Sequence, residues 1–274
     1  MGMGIYEKAM AGLPLDDVYI FDCHGHAGKS YAFNIPGGEP EDMIRTMDFL
    51  GVDRVAVSSL TAIYSDPVLG NDITIEMTEK YPGRFFGYVT INPNYPESVI
   101  GEIDRCFRLP GIIGLKFHPD THQTAMDHPN YHMACAVADE KRCPVLIHTW
   151  GEGNVMTISS LAGRYQNAVF IMGHSGGPDK SAAEAAVEAI NRRPNLYGDL
   201  TMSYIYEGAL EWFVKEVGAK KILYGTDIPF LDPRPNYGRV ALADISDDDK
   251  RDILGLNMDR ILEQSKNGCN KTTF

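Results

Sequence analysis

Two histidines one residue apart, in Phe21-Asp22-Cys23-His24-Gly25-His26, open the chemistry of this chain. The apolar run Val18-Tyr19-Ile20 before them reads as a short buried strand, being apolar and rich in β-branched and aromatic residues. Side chains two apart on a strand point to one face, so His24 and His26 can aim two imidazoles at one point where the strand gives way to Gly25–Gly28. Two convergent neutral imidazoles begin a divalent-metal site, zinc above all. An isolated pair of this kind also fits two loop histidines, so the rest of the chain must decide.

The elements that would position them follow in regular order. Strands are expected at 54–60, 85–91, 112–118, 145–150, 168–174, 196–202 and 222–227. Helices are expected at 39–50, 70–80, 97–108, 130–142, 155–165, 181–193, 207–217 and 245–264, from apolar residues at helical spacing and from Gly51 and Pro82-Gly83 as stops. Eight strands alternating with eight helices, about thirty residues apart, argue for parallel βα units and closure into a (β/α)₈ TIM barrel. An open doubly wound sheet is the competitor. No linker or low-complexity segment divides the 274 residues, so residues 1–274 are expected to form a single domain.

In a barrel the active site lies at the C-terminal ends of the strands. His24 and His26 end the first expected strand, His118 the fourth, His148 stands near the end of the fifth, His174 ends the sixth and Asp227 the eighth. Five of the eight histidines at one rim is not the distribution of scattered structural histidines. His24, His26, His148 and Asp227 can supply the three or four ligands of a catalytic zinc that keeps a position for water. Such a metal lowers the pKa of bound water towards about 7. Asp227 could take that proton and pass it on, or merely cap a turn before Ile228-Pro229. His174 would stand beside the metal, polarising a substrate oxygen or moving a proton, or be a hydrogen-bonded structural histidine. Lys116 shares a face with His118 and admits three roles: a carbamate bridging two metals, a partner for a substrate carboxylate, or an internal cation paired with an acid. His118 reads as a substrate contact or as structural. His122, His128 and His132 fall outside the rim and read as exposed or helix-packing. Arg234 offers a fork that suits a carboxylate, or is a surface arginine in a proline-fixed loop. Trp150 and Tyr204 could wall the pocket or pack beneath loops.

Composition narrows the function classes. The chain is 44% hydrophobic and 23% charged, with a net charge of −12 and no basic run to track phosphates, so nucleic acid is an unsuitable partner. No segment approaches the roughly 18 consecutive apolar residues of a membrane span, and the first fourteen residues lack the apolar core of a secretory signal. Five scattered cysteines, Cys23, Cys106, Cys135, Cys143 and Cys269, show no CxxC and no disulfide framework, which favours a reducing, cytoplasmic setting. The expected partner is a small-molecule substrate, with a homo-oligomer left open.

Together "FDCHGHAG", "GIIGLKFHPD", "VLIHTW", "IMGHSGG", "LYGDLT", "ILYGTDIPF" and "ILGLNMDRIL" make the chain resemble the amidohydrolase superfamily. The resemblance is closest to its branch of aminocarboxymuconate-semialdehyde and resorcylate decarboxylases. It covers nearly the whole chain and implies a TIM barrel with one divalent metal, typically zinc. It places the ligands on His24, His26, His148 and Asp227 and the catalytic histidine on His174. It also argues against a carbamylated Lys116, which belongs to two-metal relatives. The larger decarboxylases carry longer loops around their aromatic-acid pockets than 274 residues leave room for. Hydrolysis of a small carboxylate-bearing ester, lactone or amide is therefore the first expectation. Non-oxidative decarboxylation of a small unsaturated or aromatic acid is the alternative, and a non-enzymatic metal-binding scaffold the third.

Overall fold

A computed structural model describes residues 2–30 and 33–266. Eight parallel strands lie in sequence order: β1 (Phe21–Ala27), β2 (Arg54–Ser59), β3 (Phe85–Thr90), β4 (Ile112–Phe117), β5 (Pro144–Trp150), β6 (Val169–Gly176), β7 (Leu196–Asp199) and β8 (Ile222–Leu223). The sheet closes on itself: Cys23 N donates to Tyr224 O at 2.9 Å, Asp227 N to His24 O at 2.7 Å and His26 N to Ile228 O at 2.7 Å. With helices between the strands, this is the expected (β/α)₈ TIM barrel.

Helix starts follow local chemistry. Pro40, Pro67, Pro96, Pro119 and Pro129 each open a helix, where a missing N–H costs nothing. Asp66 adds a side-chain cap to Val68 N and Leu69 N. Short helices not expected from the sequence stand at Ile5–Met10, Leu60–Tyr64, Pro119–His122 and Arg234–Leu242. The last expected helix holds, but Asp252–Leu256 within it winds as a π-helix between Asp247–Arg251 and Asn257–Lys266. Gly255 sits there because a Cβ would come within 2.7 Å of the Tyr19 ring and carbonyl.

Three strands differ from expectation in ways that matter for the site. β1 is the histidine motif itself; Val18-Tyr19-Ile20 only leads into it. β7 stops at Asp199 and β8 at Leu223, so Asp227 sits on irregular backbone at φ +67°. β4 carries one extra residue against β3, since Gly87 pairs with Ile112 and Tyr88 with Gly114. Ile113, the extra residue, packs inside the barrel; beyond it Leu115 and Phe117 face the helices. Lys116 and His118 are thereby turned inward.

Side chains fill the barrel from the bottom. Phe21, Phe86, Ile113, Leu146 and Ile171 meet Met258, Ile261 and Leu262 of the last helix, which plugs the N-terminal end. Val55, Val57, Val145, Ile147, Phe170 and Met172 pack outward into the layer shared with the helices. Cys23, Cys106, Cys135 and Cys143 are buried; Cys269 lies outside the described residues. No helix among the described residues is long and apolar enough to cross a membrane.

Candidate metal centre and its cavity

At the C-terminal end of the strands the interior turns polar. His24 is fully buried, and glycines on both sides make its room: a Cβ at Gly173 would lie 3.0 Å from the His24 ring, and one at Gly225 would lie 3.1 Å from its Cβ. Its Nδ1 stands 2.7 Å from Asp199 Oδ2. His26 Nδ1 lies 3.2 Å from the Ser58 carbonyl, and His174 Nδ1 lies 3.3 Å from the Thr201 carbonyl. Each of these partners is an acceptor, and with the proton on Nδ1 each Nε2 would offer its lone pair to a cation.

These Nε2 nitrogens meet a carboxylate. Asp227 Oδ1 is 2.9 Å from His26 Nε2 and 3.3 Å from His24 Nε2. Donor atoms of His24, His174 and Asp227 all lie within 4.8 Å of one another. Burial, reinforced by Lys116, holds His24 well below the usual histidine range, and burial takes His174 down to about 3. Burial alone would raise Asp227, yet the imidazoles of His24 and His26 turned toward it hold its carboxyl well below the usual range. Imidazole nitrogens and an ionised carboxylate crowded at one buried point are the donor set a divalent cation satisfies, in place of the protons that otherwise bridge them. The residues fit a metal.

Other expected residues stand around this centre. His148 shares the cavity, its ring stacked on His118 at 4.0 Å and edge-on to His174 at 4.7 Å. Its Nε2 is directed to Asp120 Oδ2 at 3.3 Å, so the compact donor trio contains His174, not His148. His118 is held below its ordinary pKa by burial and then by His148. Lys116 is completely buried, with Nζ 2.9 Å from His24 Nε2 and its pKa pushed down by burial to about 8. It lies beneath the cavity floor rather than in its wall. Arg234 is corrected: its guanidinium is exposed and its Nε bonds Asp232 Oδ1 at 2.9 Å, two residues away, so it is not brought to the cavity. Trp150 lines the cavity; Tyr204 is buried behind it, stacked on Phe213 at 4.0 Å.

Over the centre lies a cavity of about 200 Å³. Its floor is His26, His118, His148, His174 and Asp227; its collar is Leu60, Ile63, Tyr64, Trp150, Met202 and Phe230. His122, outside this cavity, is a structural histidine with both nitrogens engaged, one with Tyr131 OH and one with the Ile63 carbonyl, each at 3.1 Å.

Sequence reasoning gave no role to three carboxylates that organise the centre. Asp199 receives His24 Nδ1–H on Oδ2 and the His174 backbone N–H on Oδ1 at 2.8 Å, tying β1, β6 and β7 together; burial raises it to about 6. Asp22 Oδ1 accepts from His24 N at 3.0 Å and Thr226 N at 3.1 Å, and its Oδ2 from the Thr226 hydroxyl; burial raises it to about 8. Asp120 backs His148. The signal available for Asp199 was its place at the end of "LYGD" on a strand of the same rim.

Comparison with known proteins agrees with this architecture. The chain is 22% identical over 227 residues to the 2-amino-3-carboxymuconate-6-semialdehyde decarboxylase of Dictyostelium discoideum, an alignment covering 68% of this chain. It spans 63% of the length of that relative. The 2,6-dihydroxybenzoate decarboxylase from Rhizobium shares the fold with a TM-score of 0.73 at 16% identity, over 90% of this chain and 99% of that one. The 5-carboxyvanillate decarboxylase of Novosphingobium aromaticivorans, solved with manganese and 4-hydroxy-3-methoxy-5-nitrobenzoic acid, gives a TM-score of 0.71 at 15% identity, over 91% and 97%. Residues 21–263 match the family model described as Amidohydrolase, and the chain belongs to that family of enzymes.

Proposed function

We propose that the protein is a metal-dependent carboxy-lyase, which removes CO₂ without oxidation from a small unsaturated or aromatic acid. The observation that carries the reading is the set of imidazole nitrogens and one carboxylate converging under a small cavity with an apolar collar. A cavity near 150 Å³ suffices for one benzene ring, so about 200 Å³ suits a monocyclic or short conjugated acid. The relatives that act on such acids support decarboxylation over the hydrolysis first expected from the sequence.

His24, His26 and Asp227 would hold one divalent cation, joined by one of the two flanking imidazoles. The Asp120 carboxylate behind His148 is the support a ligating imidazole usually has at its back, which favours His148 as that ligand. Zinc suits the donor set, and manganese, present in a similar structure, suits it also. When bound, the cation supplies electrostatic stabilisation for negative charge developing on substrate oxygens.

His174 is left to handle the proton. With Nδ1–H tied to Thr201 O, its Nε2 is the atom that would carry a proton from solvent to the substrate carbon. The C–C bond to the carboxylate breaks, its electron pair stays on the substrate carbon, and Nε2 delivers the proton to that carbon. The net change is R–COO⁻ and H⁺ to R–H and CO₂. The collar of Leu60, Ile63, Met202 and Phe230 withholds water from the carboxylate, which favours its loss as neutral CO₂. Lys116, one layer below, balances the charge of Asp199 and Asp227. The test is a panel of aromatic and conjugated acids, with esters, lactones and amides alongside, given to metal-loaded protein. CO₂ release from an acid supports the reading; hydrolysis of an ester, lactone or amide without CO₂ from any acid overturns it.

A further inference from the structure

His118 stands apart from the other histidines of the cavity floor by what its ring is bonded to. It is the N-cap of the short helix Pro119–His122, where Pro119 brings no N–H, and its Nδ1 accepts from Thr121 N at 3.4 Å. A backbone amide only donates, so Nδ1 keeps a lone pair and the neutral ring carries its proton on Nε2. His26 and His174 are the opposite case, each with a carbonyl beside Nδ1. Nε2 of His118 meets no acceptor among the described residues and is not one of the sealed, unpartnered atoms, so it opens on the cavity that the ring borders. No Lys or Arg lines that cavity among the described residues, and Lys116 lies below its floor, against His24 Nε2.

We propose that His118 is a specificity-determining residue, whose Nε2–H holds a neutral oxygen (hydroxyl, ether or carbonyl) on a substrate with a single carboxylate. The substrate's orientation rests on the carboxy-lyase reading: its carboxylate goes to the side of His24, His26 and Asp227. In the closed barrel β4 stands across from β8, so the residue that follows β4 meets a different part of the molecule. The leaving carboxylate is a poor partner for this donor, since a hydrogen bond to it would stabilise the charge that must disappear as CO₂ forms. A second carboxylate is no better: one neutral N–H among Leu60, Ile63, Trp150 and Phe230 does not offset its lost hydration. A neutral oxygen is satisfied by one donor, and an apolar group in its place would leave the N–H desolvated and unpaired.

The test is calorimetric titration of zinc-loaded protein with benzoate, the three methoxybenzoates and the three ring-ethylated benzoates, which match the methoxy acids in shape but lack the oxygen. Two variants separate the donor from the cap. His118→Asn keeps an acceptor for Thr121 N, but its amide ends short of the Nε2 position; His118→Gln reaches that position with an amide N–H. Circular dichroism and stoichiometric zinc show each variant intact. At one ring position the methoxy-over-ethyl preference should be roughly 3- to 10-fold greater in the unaltered protein than in His118→Asn, and His118→Gln should retain it in part. The three benzenedicarboxylates should bind unaltered protein at least ~10-fold more weakly than benzoate. Equal preferences in unaltered protein and His118→Asn at every position overturn the proposal, as does a preference kept in His118→Asn and lost in His118→Gln. So does any dicarboxylate that binds as tightly as benzoate, or the absence of saturable binding by all of these acids. CO₂ release is not the readout: binding as expected with no acid decarboxylated would sink the carboxy-lyase reading and leave the role of His118 standing.

Discussion

The two ends of the barrel spend their residues differently. At the bottom, Phe21, Ile113, Leu146 and Ile171 close on Met258, Ile261 and Leu262 with purely apolar contact. At the mouth, His24, Lys116, Asp199 and Asp227 are buried with displaced protonation equilibria, the first three by burial itself and Asp227 by the imidazoles turned toward it. The first arrangement stabilises the fold, and the second draws on that stability to hold groups ready for chemistry. Mutations at the bottom should therefore cost folding, and mutations at the mouth should cost turnover.

The sharpest contrast is His24→Ala. It should abolish stoichiometric metal in elemental analysis and lower turnover at least ~10³-fold, while the protein stays folded. Retained metal with retained turnover would remove the mouth from the comparison. At the other end, Ile261→Ala should lower unfolding free energy by about 2–4 kcal/mol in urea titrations, yet leave kcat of the folded protein within about 2-fold. A large kcat loss without loss of stability would reverse the assignment of roles. Lys116→Met should cut turnover roughly 10–100-fold and leave thermal stability of the metal-free protein equal or higher, because burying an ammonium is costly. A clear fall in Tm would make Lys116 a structural cation instead.

The smallest effect separates two kinds of buried histidine. His122 has both nitrogens bonded and is held by burial at about 4. Its unfolded-state value lies near 6.5, so the unfolded chain binds the proton first and stability falls as pH drops from about 6.5 towards about 4. By pH 5 this one residue should cost about 2 kcal/mol. Urea unfolding at pH 7 and pH 5 should show a pH loss smaller by about that amount in His122→Gln. An unchanged pH loss in the variant would mean that His122 is not the acid-sensitive tie between Leu60–Tyr64 and the barrel.

Residues whose task is set by their own strand were legible. The spacing of His24 and His26 and the strand-end positions of His118, His148, His174 and Asp227 placed four imidazoles and one carboxylate around a single cavity, with His24 buried against the same carboxylate, because strand period and barrel polarity are local rules. Asp199 was not legible in its role: its partners are 175 and 25 positions away, and only barrel closure brings them together. Arg234 misled because a guanidinium two residues from Asp232 has a nearer carboxylate than any substrate offers. The sequence names His148 as the fourth ligand, and the structure instead groups His174 with His24 and Asp227. His148 faces Asp120 of the short helix Pro119–His122, a contact that depends on how the chain turns after β4 at Pro119.

The irregular pairing of β4 with β3 has a consequence for how such a barrel changes over time. Side-chain parity along a strand is a two-valued quantity, and one additional residue inverts the match of odd and even numbers to its two faces. Gly114 makes that inversion possible, since a Cβ there would collide with the Pro144 carbonyl at 2.3 Å. Deleting the extra residue, Ile113, would leave Gly114 opposite Tyr88 and Lys116 opposite Thr90, so the cation would keep its inward place and the barrel would lose only one apolar side chain from its lower interior. The internal charge is thereby insulated from the loss of the very residue that separates the apolar half of this strand from its polar half.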